Sequence, residues 1–318
     1  MIKKYSPILS FIENKNGTPI AINNYDSSVL YLYEEDKSIY KDHNIDIIDY
    51  LSDDMFYDKK KRQSIKCIDK NKIIRALKLK QDDIVDEHLS DVYLNIKKLL
   101  YSKINQEVII NSGDLHFLPN NKLTESSRQV VLISGASGSG KSYWCADYAD
   151  QYHTMFPKNV IYLFSKKDED AAFDKYKYIT RILLDDSFLE GDPLSYKDFK
   201  NSLMIFDDID TLEGQIFKEI SQLRSDVLQL GRSSHINVCI TTHIACNYGK
   251  TKEIINESTH YVIFRGCNKL NTSRLLTQYV GIDPKKLQDI WNLPSRWTLI
   301  SKNYPTYILY SSGCFLIK

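Results

Sequence analysis

The chain has 318 residues, which is long enough for two domains of ordinary size and for a sizeable buried core. Hydrophobic residues make up 42% and charged residues 26%, with 12 Gly and 8 Pro, which excludes collagen, low-complexity disorder and a membrane-embedded protein. The 42 basic and 41 acidic residues leave a formal charge of +1, so any contact with a nucleic acid requires a local basic patch.

The six cysteines are scattered, with no CxxC pair and no histidine at metal-ligand spacing. This pattern favours reduced thiols over a zinc site or a disulfide scaffold. The first residues contain too short an apolar stretch for a signal peptide, and the chain has no uncharged run long enough to span a bilayer. We therefore expect a chain that stays inside the cell and does not use a membrane.

Residues 1–112 form a region to which the sequence assigns no chemistry. Short runs predict a strand at Val29–Tyr33 and helices at 73–79 and 92–104, which indicates a small α+β region. The basic run at 59–62 is compatible with a nucleic-acid patch or a targeting signal, but short charge runs are most often solvated faces, and we favour that interpretation.

A loop-like segment at 111–127 clusters Gly, Pro, Asn and Ser, and the pattern changes abruptly after it. We place a domain boundary here, with an N-terminal region at 1–112 and a second domain at 113–318. In the second domain, short apolar strands alternate with amphipathic helices, which predicts an α/β fold with a mostly parallel sheet covered by helices on both faces.

The predicted elements of the second domain follow in chain order. Strands are predicted at 129–134, 159–164, 202–206 and 236–241, with helices at 142–155 and 212–230. The second helix carries an apolar stripe at helical spacing, and Gly231 stands where a C-terminal cap is expected. The last residues predict a β-hairpin at 297–301 and 306–310 and a final strand at 315–317. His235 and Trp297 are interpreted as packing residues.

Between the first of these strands and the first helix, residues 135–142 read GASGSGKS, a complete GxxxxGKS motif in the strand–loop–helix context that its mechanism needs. Glycines allow successive N–H groups to point at a phosphate, and the helix dipole favours the same anion. Lys141 would reach the β- and γ-phosphates, and Ser142 would offer its hydroxyl to Mg²⁺. The predicted nucleotide-binding residues are Gly135, Ala136, Ser137, Gly138, Ser139, Gly140, Lys141, Ser142 and Tyr143.

A second acidic motif follows the buried strand LMIF, which runs directly into Asp207 and Asp208. Acids at the carboxyl end of a parallel strand lie in the crevice where ligands of open α/β sheets bind. Asp207 would hold Mg²⁺, and Asp208 would accept the proton of an attacking water. Asp210 lies three residues before Glu213 near the start of a helix, so we prefer to interpret it as a helix N-cap, and water activation is its alternative role.

The next strand ends in Thr241, Thr242 and His243, polar groups suited to contact a γ-phosphate or to orient water. Arg232, after the capping Gly231, is expected to be exposed near the same edge and is a candidate arginine finger for a neighbouring subunit. Surface salt bridging is the alternative for Arg232. Three other arginines are alternatives for the finger itself, namely Arg265, Arg274 and Arg296.

These motifs together resemble the poxvirus-type genome-packaging ATPases of nucleocytoplasmic large DNA viruses, a branch of the FtsK/HerA superfamily of P-loop NTPases. The resemblance is carried by GASGSGKS, NVIYLFS, LMIFDDID, LGRSSHINVCITTH and the C-terminal SRWTLISKNYPTYILYSSGCFLI. It covers residues 113–318, about two-thirds of the chain, and leaves the N-terminal third uncovered.

The resemblance implies a RecA/FtsK-like fold and a ring-forming, ATP-driven motor that moves double-stranded DNA into a capsid. By position, Asp208 corresponds to the catalytic acid, Thr242 and His243 to the sensor, and Arg232 to the arginine of the GR motif. The implied ligands are ATP and Mg²⁺, and the implied partners are double-stranded DNA, further copies of the chain, and a capsid or portal component. The implied location is the host cytoplasm at the viral assembly site, or the virion.

This chain departs from the family pattern at the site. Relatives often have Glu or Gln at the catalytic and sensor positions, where this sequence has Asp208 and His243. Two other functions compatible with a P-loop are a helicase-type ATPase and a nucleotide-binding scaffold without translocation. A nucleotide kinase is disfavoured, because it needs an arginine-rich lid and only Arg181 lies between Ser142 and Asp207.

Overall fold

A computed structural model describes residues 8–11, 17–33, 51, 56–58, 63–79, 85–94, 96, 107–122, 124–247 and 251–317. The basic run at 59–62 and most of the predicted helix at 92–104 lie outside these residues. Within the described ranges, no helix combines the length and the apolar character needed to cross a membrane.

Strands are numbered in chain order. They are β1 (Ile8–Ser10), β2 (Thr18–Asn23), β3 (Val29–Tyr33), β4 (Tyr57–Asp58), β5 (Gln63–Ser64), β6 (Glu107–Ile109), β7 (Leu115–Phe117), β8 (Val130–Ser134), β9 (Val160–Ser165), β10 (Ile179–Leu183), β11 (Ser202–Asp207), β12 (Asn237–Thr242), β13 (His260–Phe264), β14 (Trp297–Ser301), β15 (Tyr307–Tyr310) and β16 (Gly313–Leu316).

Helices are numbered in the same way. The α-helices are α1 (Cys67–Leu79), α2 (Lys141–Met155), α3 (Gly214–Leu230), α4 (Lys252–Glu257), α5 (Lys269–Arg274) and α6 (Leu287–Asn292), and a π-helical segment at Leu275–Val280 follows α5. Short 3₁₀ turns occur at Glu87–Leu89, Glu125–Ser127, Asp186–Leu189, Tyr196–Phe199, Ile209–Thr211 and Pro284–Lys286.

The main sheet has ten strands in the order β10-β9-β11-β12-β8-β13-β14-β15-β16-β6. The first six are parallel, and the remaining strands pair antiparallel. Alternate residues of β8 enter two separate apolar clusters, one shared with α2 and one shared with α3. The predicted α/β fold with a mostly parallel, helix-covered sheet and a C-terminal β-hairpin is therefore confirmed.

The strand order brings the carboxyl ends of four strands to one edge. Ser134 at the end of β8 pairs with Thr242 at the end of β12, and Asp207 at the end of β11 pairs with Ser165 at the end of β9. β12 lies between β8 and β11. All residues of β8, β11 and β12 are buried, as expected for central parallel strands covered on both faces. These strands hold the edge rigidly.

The predicted helices occur with small shifts in their bounds. Helix α3 begins at Gly214, two residues later than predicted, and buries Ile220, Leu223 and Val227 of the predicted stripe. Gly231 is its C-terminal cap, as predicted, and its N–H donates to the Val227 carbonyl at 2.9 Å. The Arg128 guanidinium also donates to the Val227 carbonyl, at 2.6 Å. Arg128 therefore supplies a hydrogen-bond donor to a carbonyl group in the last turn of α3.

On each side of the predicted boundary between 112 and 113, one strand pairs with the sheet of the other part of the chain. β6 lies before the boundary and pairs with β16 of the main sheet, whereas β7 lies after it and pairs with β2 of a four-stranded sheet in the order β1-β3-β2-β7. Phe117 of β7 stacks on Trp144 and Tyr148 of α2. The N-terminal sheet and the P-loop helix thus share an apolar core.

Candidate functional site

The GASGSGKS segment forms a loop between β8 and α2 at the carboxyl edge of the sheet. Gly140 is the N-cap of α2 and has φ of 109°, a left-handed conformation that favours glycine. A Cβ atom on Gly135 would lie 2.4 Å from Ser139 Oγ, so this position requires glycine for close packing. Ala136, Ser137 and Gly138 are exposed at the tip of the loop.

Lys141 is only 5% exposed and points back into the loop. Its Nζ donates to the carbonyl oxygens of Gly135 at 3.0 Å and Ala136 at 3.3 Å. The same Nζ lies 3.4 Å from His243 Nδ1 and 3.9 Å from Asp208 Oδ1. The structure therefore brings together the lysine, the second aspartate and the histidine that the sequence places on three separate elements.

Ser142 and Tyr143 follow Lys141 in the first turn of α2. Ser142 is half-buried, whereas Tyr143 is 62% exposed. In the loop just before them, Ser139 Oγ is buried and has no hydrogen-bond partner. A buried hydroxyl without a partner at a phosphate-type loop is an available contact for a ligand.

Asp207 at the end of β11 is buried in the sheet edge, with 2% of its surface exposed. Oδ1 accepts a hydrogen bond from Thr241 Oγ1 at 2.9 Å, whereas Oδ2 is buried without any hydrogen-bond partner. Burial and the neighbouring negative charge of Asp208 raise the pKa of Asp207. An unpartnered buried carboxylate oxygen of this kind is suited to bind a cation.

Asp208 adopts a left-handed conformation, with φ of 47° and ψ of 34°. Its backbone N–H donates to Thr241 Oγ1 at 2.8 Å, and its Oδ2 lies 3.4 Å from His243 Nε2. A non-glycine residue in this region costs free energy and is retained where the surroundings hold it. In this conformation the Asp208 carboxylate lies near Lys141 and His243.

The prediction that Asp210 is the N-cap of a helix is wrong. Asp210 belongs to the 3₁₀ turn Ile209–Thr211, and the N-cap of α3 is Glu213, whose side chain makes no capping hydrogen bond. Asp210 instead accepts from Thr242 Oγ1 at 3.0 Å and from Arg224 Nη1 at 3.5 Å. The acid therefore links β12 to α3.

The two threonines at the end of β12 contact different acids. Thr241, rather than Thr242, contacts the aspartates at the end of β11. The Thr242 hydroxyl donates to Asp210 at 3.0 Å and accepts from the Ile244 N–H at 3.3 Å. His243 lies between Lys141 and Asp208. The sensor role of Thr242 and His243 stays a prediction.

Lys167 is a further cation at this edge that the sequence analysis missed. It follows β9, and its Nζ lies 3.1 Å from Asp170 Oδ2 and 4.0 Å from Asp207 Oδ2. The available signal was the run of charged residues directly after an apolar strand. Because β9 lies beside β11 in the sheet, a lysine that follows β9 comes close to the aspartate at the end of β11.

The arginines occupy different edges of the sheet. Arg232 precedes β12 and is exposed at the amino edge, so the prediction that it lies near the carboxyl edge of its own chain is wrong. Its role toward a neighbouring subunit stays a prediction. Arg296 precedes β14 at the carboxyl edge, and its Nη2 donates to the Ser139 carbonyl at 3.2 Å. Arg265 directs its guanidinium to the Leu293 carbonyl.

Comparison with known proteins places these features in a family. The glycine loop between a buried strand and a helix, with acids at the end of a neighbouring parallel strand, defines a P-loop NTPase fold. The chain is 31% identical over 214 residues to protein V3 of Sputnik virophage, across 66% of this chain and 84% of V3. The chain belongs to the family of protein V3. No protein-family profile matches it.

Solved structures with a similar arrangement are more distant. The genome packaging NTPase B204 of Sulfolobus turreted icosahedral virus 2, in complex with AMPPCP, has a TM-score of 0.39 at 14% identity and covers 57% of this chain and 97% of its own. The cytoplasmic domain of the type VII secretion ATPase EccC of Thermomonospora curvata has a TM-score of 0.44 at 15% identity, over 65% of this chain and 28% of its own.

Proposed function

We propose that the chain is an ATP-hydrolysing motor that translocates double-stranded DNA and packages a viral genome into its capsid. The observation that carries this proposal is the meeting of Lys141, at the end of the glycine loop, with Asp208, at the end of β11, at 3.9 Å. These groups come from segments far apart in sequence and have the chemistry that phosphoryl transfer to water requires.

Nucleotide binding is supported by the loop itself. Because glycines have no side chain, the loop backbone can approach a bound phosphate closely. Helix α2 begins at Lys141, so the positive end of its dipole is directed at that phosphate. Lys141 Nζ now donates to two loop carbonyls. Phosphate oxygens would offer this ammonium group charged acceptors in place of neutral ones, which strengthens the hydrogen bonds.

The residues present fit Mg²⁺. Asp207 Oδ2 is buried and accepts no hydrogen bond. A hard cation such as Mg²⁺ prefers oxygen ligands, which include carboxylates, hydroxyls and phosphates. Among the described residues no group of three or more His, Cys, Asp or Glu side chains forms a metal cage. That pattern suits a metal held by one or two protein oxygens together with substrate phosphates. Asp207 and Ser142 would hold the ion, which neutralises phosphate charge when bound.

Asp208 is the residue we assign to water activation. Its side chain is 18% exposed, so the carboxylate reaches solvent while its backbone is held by Thr241. When Lys141 turns to the phosphates, the Asp208 carboxylate is freed to accept a proton from water. His243, at 3.4 Å from Asp208 Oδ2, is placed to orient that carboxylate.

The assignment of DNA as the cargo is supported by the motif resemblance. The relationship to protein V3 of Sputnik virophage supports a viral setting. A ring of identical subunits would provide a channel in which local lysines follow DNA phosphates, even at a net charge of +1. A capsid or portal component is the expected docking partner. The assembly site in the host cytoplasm, or the virion, is the expected location.

The test is the ATPase rate with and without long duplex DNA for the native chain, Lys141→Ala and Asp208→Asn. We expect the native rate to rise with DNA. Both variants should lose activity by at least about a hundredfold, because each removes a group that acts in the transition state.

Asp210→Asn is the matched control for Asp208→Asn, because it changes a neighbouring acid that binds Thr242 and Arg224 instead of the loop lysine. A native chain that hydrolyses ATP at the same rate with and without DNA, and that stays monomeric at all concentrations, would favour a nucleotide-binding scaffold over the motor.

A further inference from the structure

One exposed arginine lies directly against the phosphate loop of its own chain. Arg296 Nη2 donates to the Ser139 carbonyl at 3.2 Å, and a Cβ atom built on Gly140 would lie 3.8 Å from the same nitrogen. Arg296 stands between α6 and β14, and β14 pairs antiparallel with β13. The residue therefore reaches the carboxyl edge from the side opposite β11 and its aspartates.

The backbone that carries Arg296 is fixed on both sides. Ser295 is 7% exposed, and its hydroxyl donates to the Trp297 carbonyl at 2.6 Å and accepts from the Ser311 N–H at 3.2 Å. The Arg296 carbonyl accepts from the Arg265 N–H at 2.9 Å. Trp297 packs edge-on against Trp144 of α2, with ring centroids 5.9 Å apart. The P-loop helix and the Arg296 backbone are thus held in one packed unit.

The guanidinium has no acidic partner in the described part of the chain. Its one side-chain hydrogen bond goes to a neutral carbonyl, whereas Arg224 and Arg181 each pair with a carboxylate. Arg128 is likewise occupied, because it donates to three backbone carbonyls. A guanidinium has five N–H donors in a planar fork that matches phosphate oxygens. Arg296 therefore keeps most of its donors available beside the phosphate loop.

We infer that Arg296 binds the α- and β-phosphates of the nucleotide in the same chain, as a second cation beside Lys141. The inference rests on the proposed nucleotide-binding function and adds a residue to it. Lys141 approaches from inside the loop, and Arg296 approaches from its outer side at Ser139 and Gly140. A polyphosphate held between two cations is bound more tightly, whereas a finger that enters a neighbour's site acts on the rate of the chemical step.

The experiment measures ADP and a nonhydrolysable ATP analogue binding to the full chain by titration calorimetry with Mg²⁺ present. Arg296→Ala should weaken both ligands by the same factor, about tenfold to a hundredfold, as expected for one charged hydrogen-bonded contact. Arg296→Lys should bind with intermediate affinity, because it restores the charge without the fork. Thermal melting of each variant, compared with the native chain, verifies folding.

Arg265→Ala is the matched control, because Arg265 is exposed one strand away but directs its guanidinium to the Leu293 carbonyl. It should bind both nucleotides as the native chain does. Native affinity in Arg296→Ala, with binding lost in Lys141→Ala, would overturn the inference and leave the proposed function standing. If Arg296→Ala weakened binding of the ATP analogue but not of ADP, Arg296 would contact the γ-phosphate, and its assignment to the α- and β-phosphates would be wrong. A native chain that binds neither nucleotide would overturn both.

Discussion

The Thr241 hydroxyl contacts both acids at the end of β11. It donates to Asp207 Oδ1 at 2.9 Å and accepts from the Asp208 N–H at 2.8 Å. Thr241 is fully buried and belongs to the strand adjacent to β11. A buried hydroxyl that orients a ligand-binding carboxylate affects both metal affinity and activity. We therefore assign Thr241 a positioning role toward the two aspartates, a role that the sequence did not predict for it.

Thr241→Val removes the hydroxyl and keeps the shape of the side chain. We expect ATP turnover to fall about tenfold or more, because both aspartates lose their shared partner. Thr242→Val, whose hydroxyl contacts Asp210 and Ile244, should reduce turnover less. Steady-state rates at saturating MgATP compare the two variants, and thermal melts verify that both fold. A larger loss in Thr242→Val than in Thr241→Val would contradict the positioning role of Thr241.

We expect the buried carboxylate of Asp207, whose Oδ2 accepts no hydrogen bond, to lower stability while it serves activity. Burial and Asp208 raise the Asp207 pKa, so the ionised form destabilises the folded chain when no cation is bound. This penalty is absent below the unfolded pKa and develops as the pH rises through the folded pKa. Asp207→Asn should therefore raise the free energy of unfolding by about 1 kcal/mol at pH 7, or Tm by about 2–4 °C, and abolish turnover. A lower Tm for Asp207→Asn than for the native chain at pH 7 would contradict the prediction that the ionised carboxylate destabilises the fold.

At the scale of elements, the strands, the glycine loop and the C-terminal hairpin were predictable because their signals are local. Apolar runs, glycine spacing and turn residues lie within about ten positions of one another. The role of Asp210 was not predictable, because it depends on Arg224 and Thr242, which lie 14 and 32 residues away. The contribution of Lys167 likewise depends on strand order, which no local pattern reports.

The contact between β7 and α2 contains a titratable pair. His116 Nδ1 lies 2.6 Å from Asp147 Oδ2, and this hydrogen bond is the main cause that raises the His116 pKa above 6.5. A raised histidine pKa stabilises the fold fully below about pH 6.5, and the contribution is lost as the pH rises through the folded value. The N-terminal sheet therefore holds the P-loop helix more firmly in acid.

Asp147→Asn should reveal this dependence. We expect the variant to be less stable than the native chain at pH 5.5, with the difference in Tm shrinking by pH 9 as His116 loses its charge. Because both side chains are about one-third exposed, the effect should be modest. Thermal unfolding across this range measures it, with Asp150→Asn on the same helix as a comparison. A difference that is constant with pH would contradict the pairing.

At the scale of the whole molecule, the two parts of the chain are interleaved. β6 completes one side of the main sheet by pairing with β16, about two hundred residues later, and β7 returns to the N-terminal sheet. Such long-range pairing is invisible to a composition change, and the segment 111–127, which was predicted as a loop, contains β7. The N-terminal region is therefore part of the structure that supports the P-loop helix, because Leu9, Ile20 and Leu30 belong to the same apolar core as Trp144.

The phosphate loop and the candidate arginine finger lie at opposite edges of the main sheet, and this placement predicts how neighbouring subunits would share an active site. The phosphate loop lies at the carboxyl edge, and Arg232 is exposed at the amino edge. An arginine finger from Arg232 would thus reach only a neighbour's site, through a head-to-tail interface of the kind that closes into a ring. Arg232→Ala alone should reduce turnover about a thousandfold, the usual contribution of a finger.

Mixed rings test this directly. Lys141→Ala keeps the finger and loses its own site, whereas Arg232→Ala keeps the site and loses the finger. Co-expressed in equal amounts, they should regain activity at about one site in four, where an intact site meets an intact finger. The control is Arg232→Ala co-expressed with the double variant Lys141→Ala, Arg232→Ala, which offers no such pair and should stay inactive. Mixtures no more active than their separate components would show that Arg232 does not act across the interface.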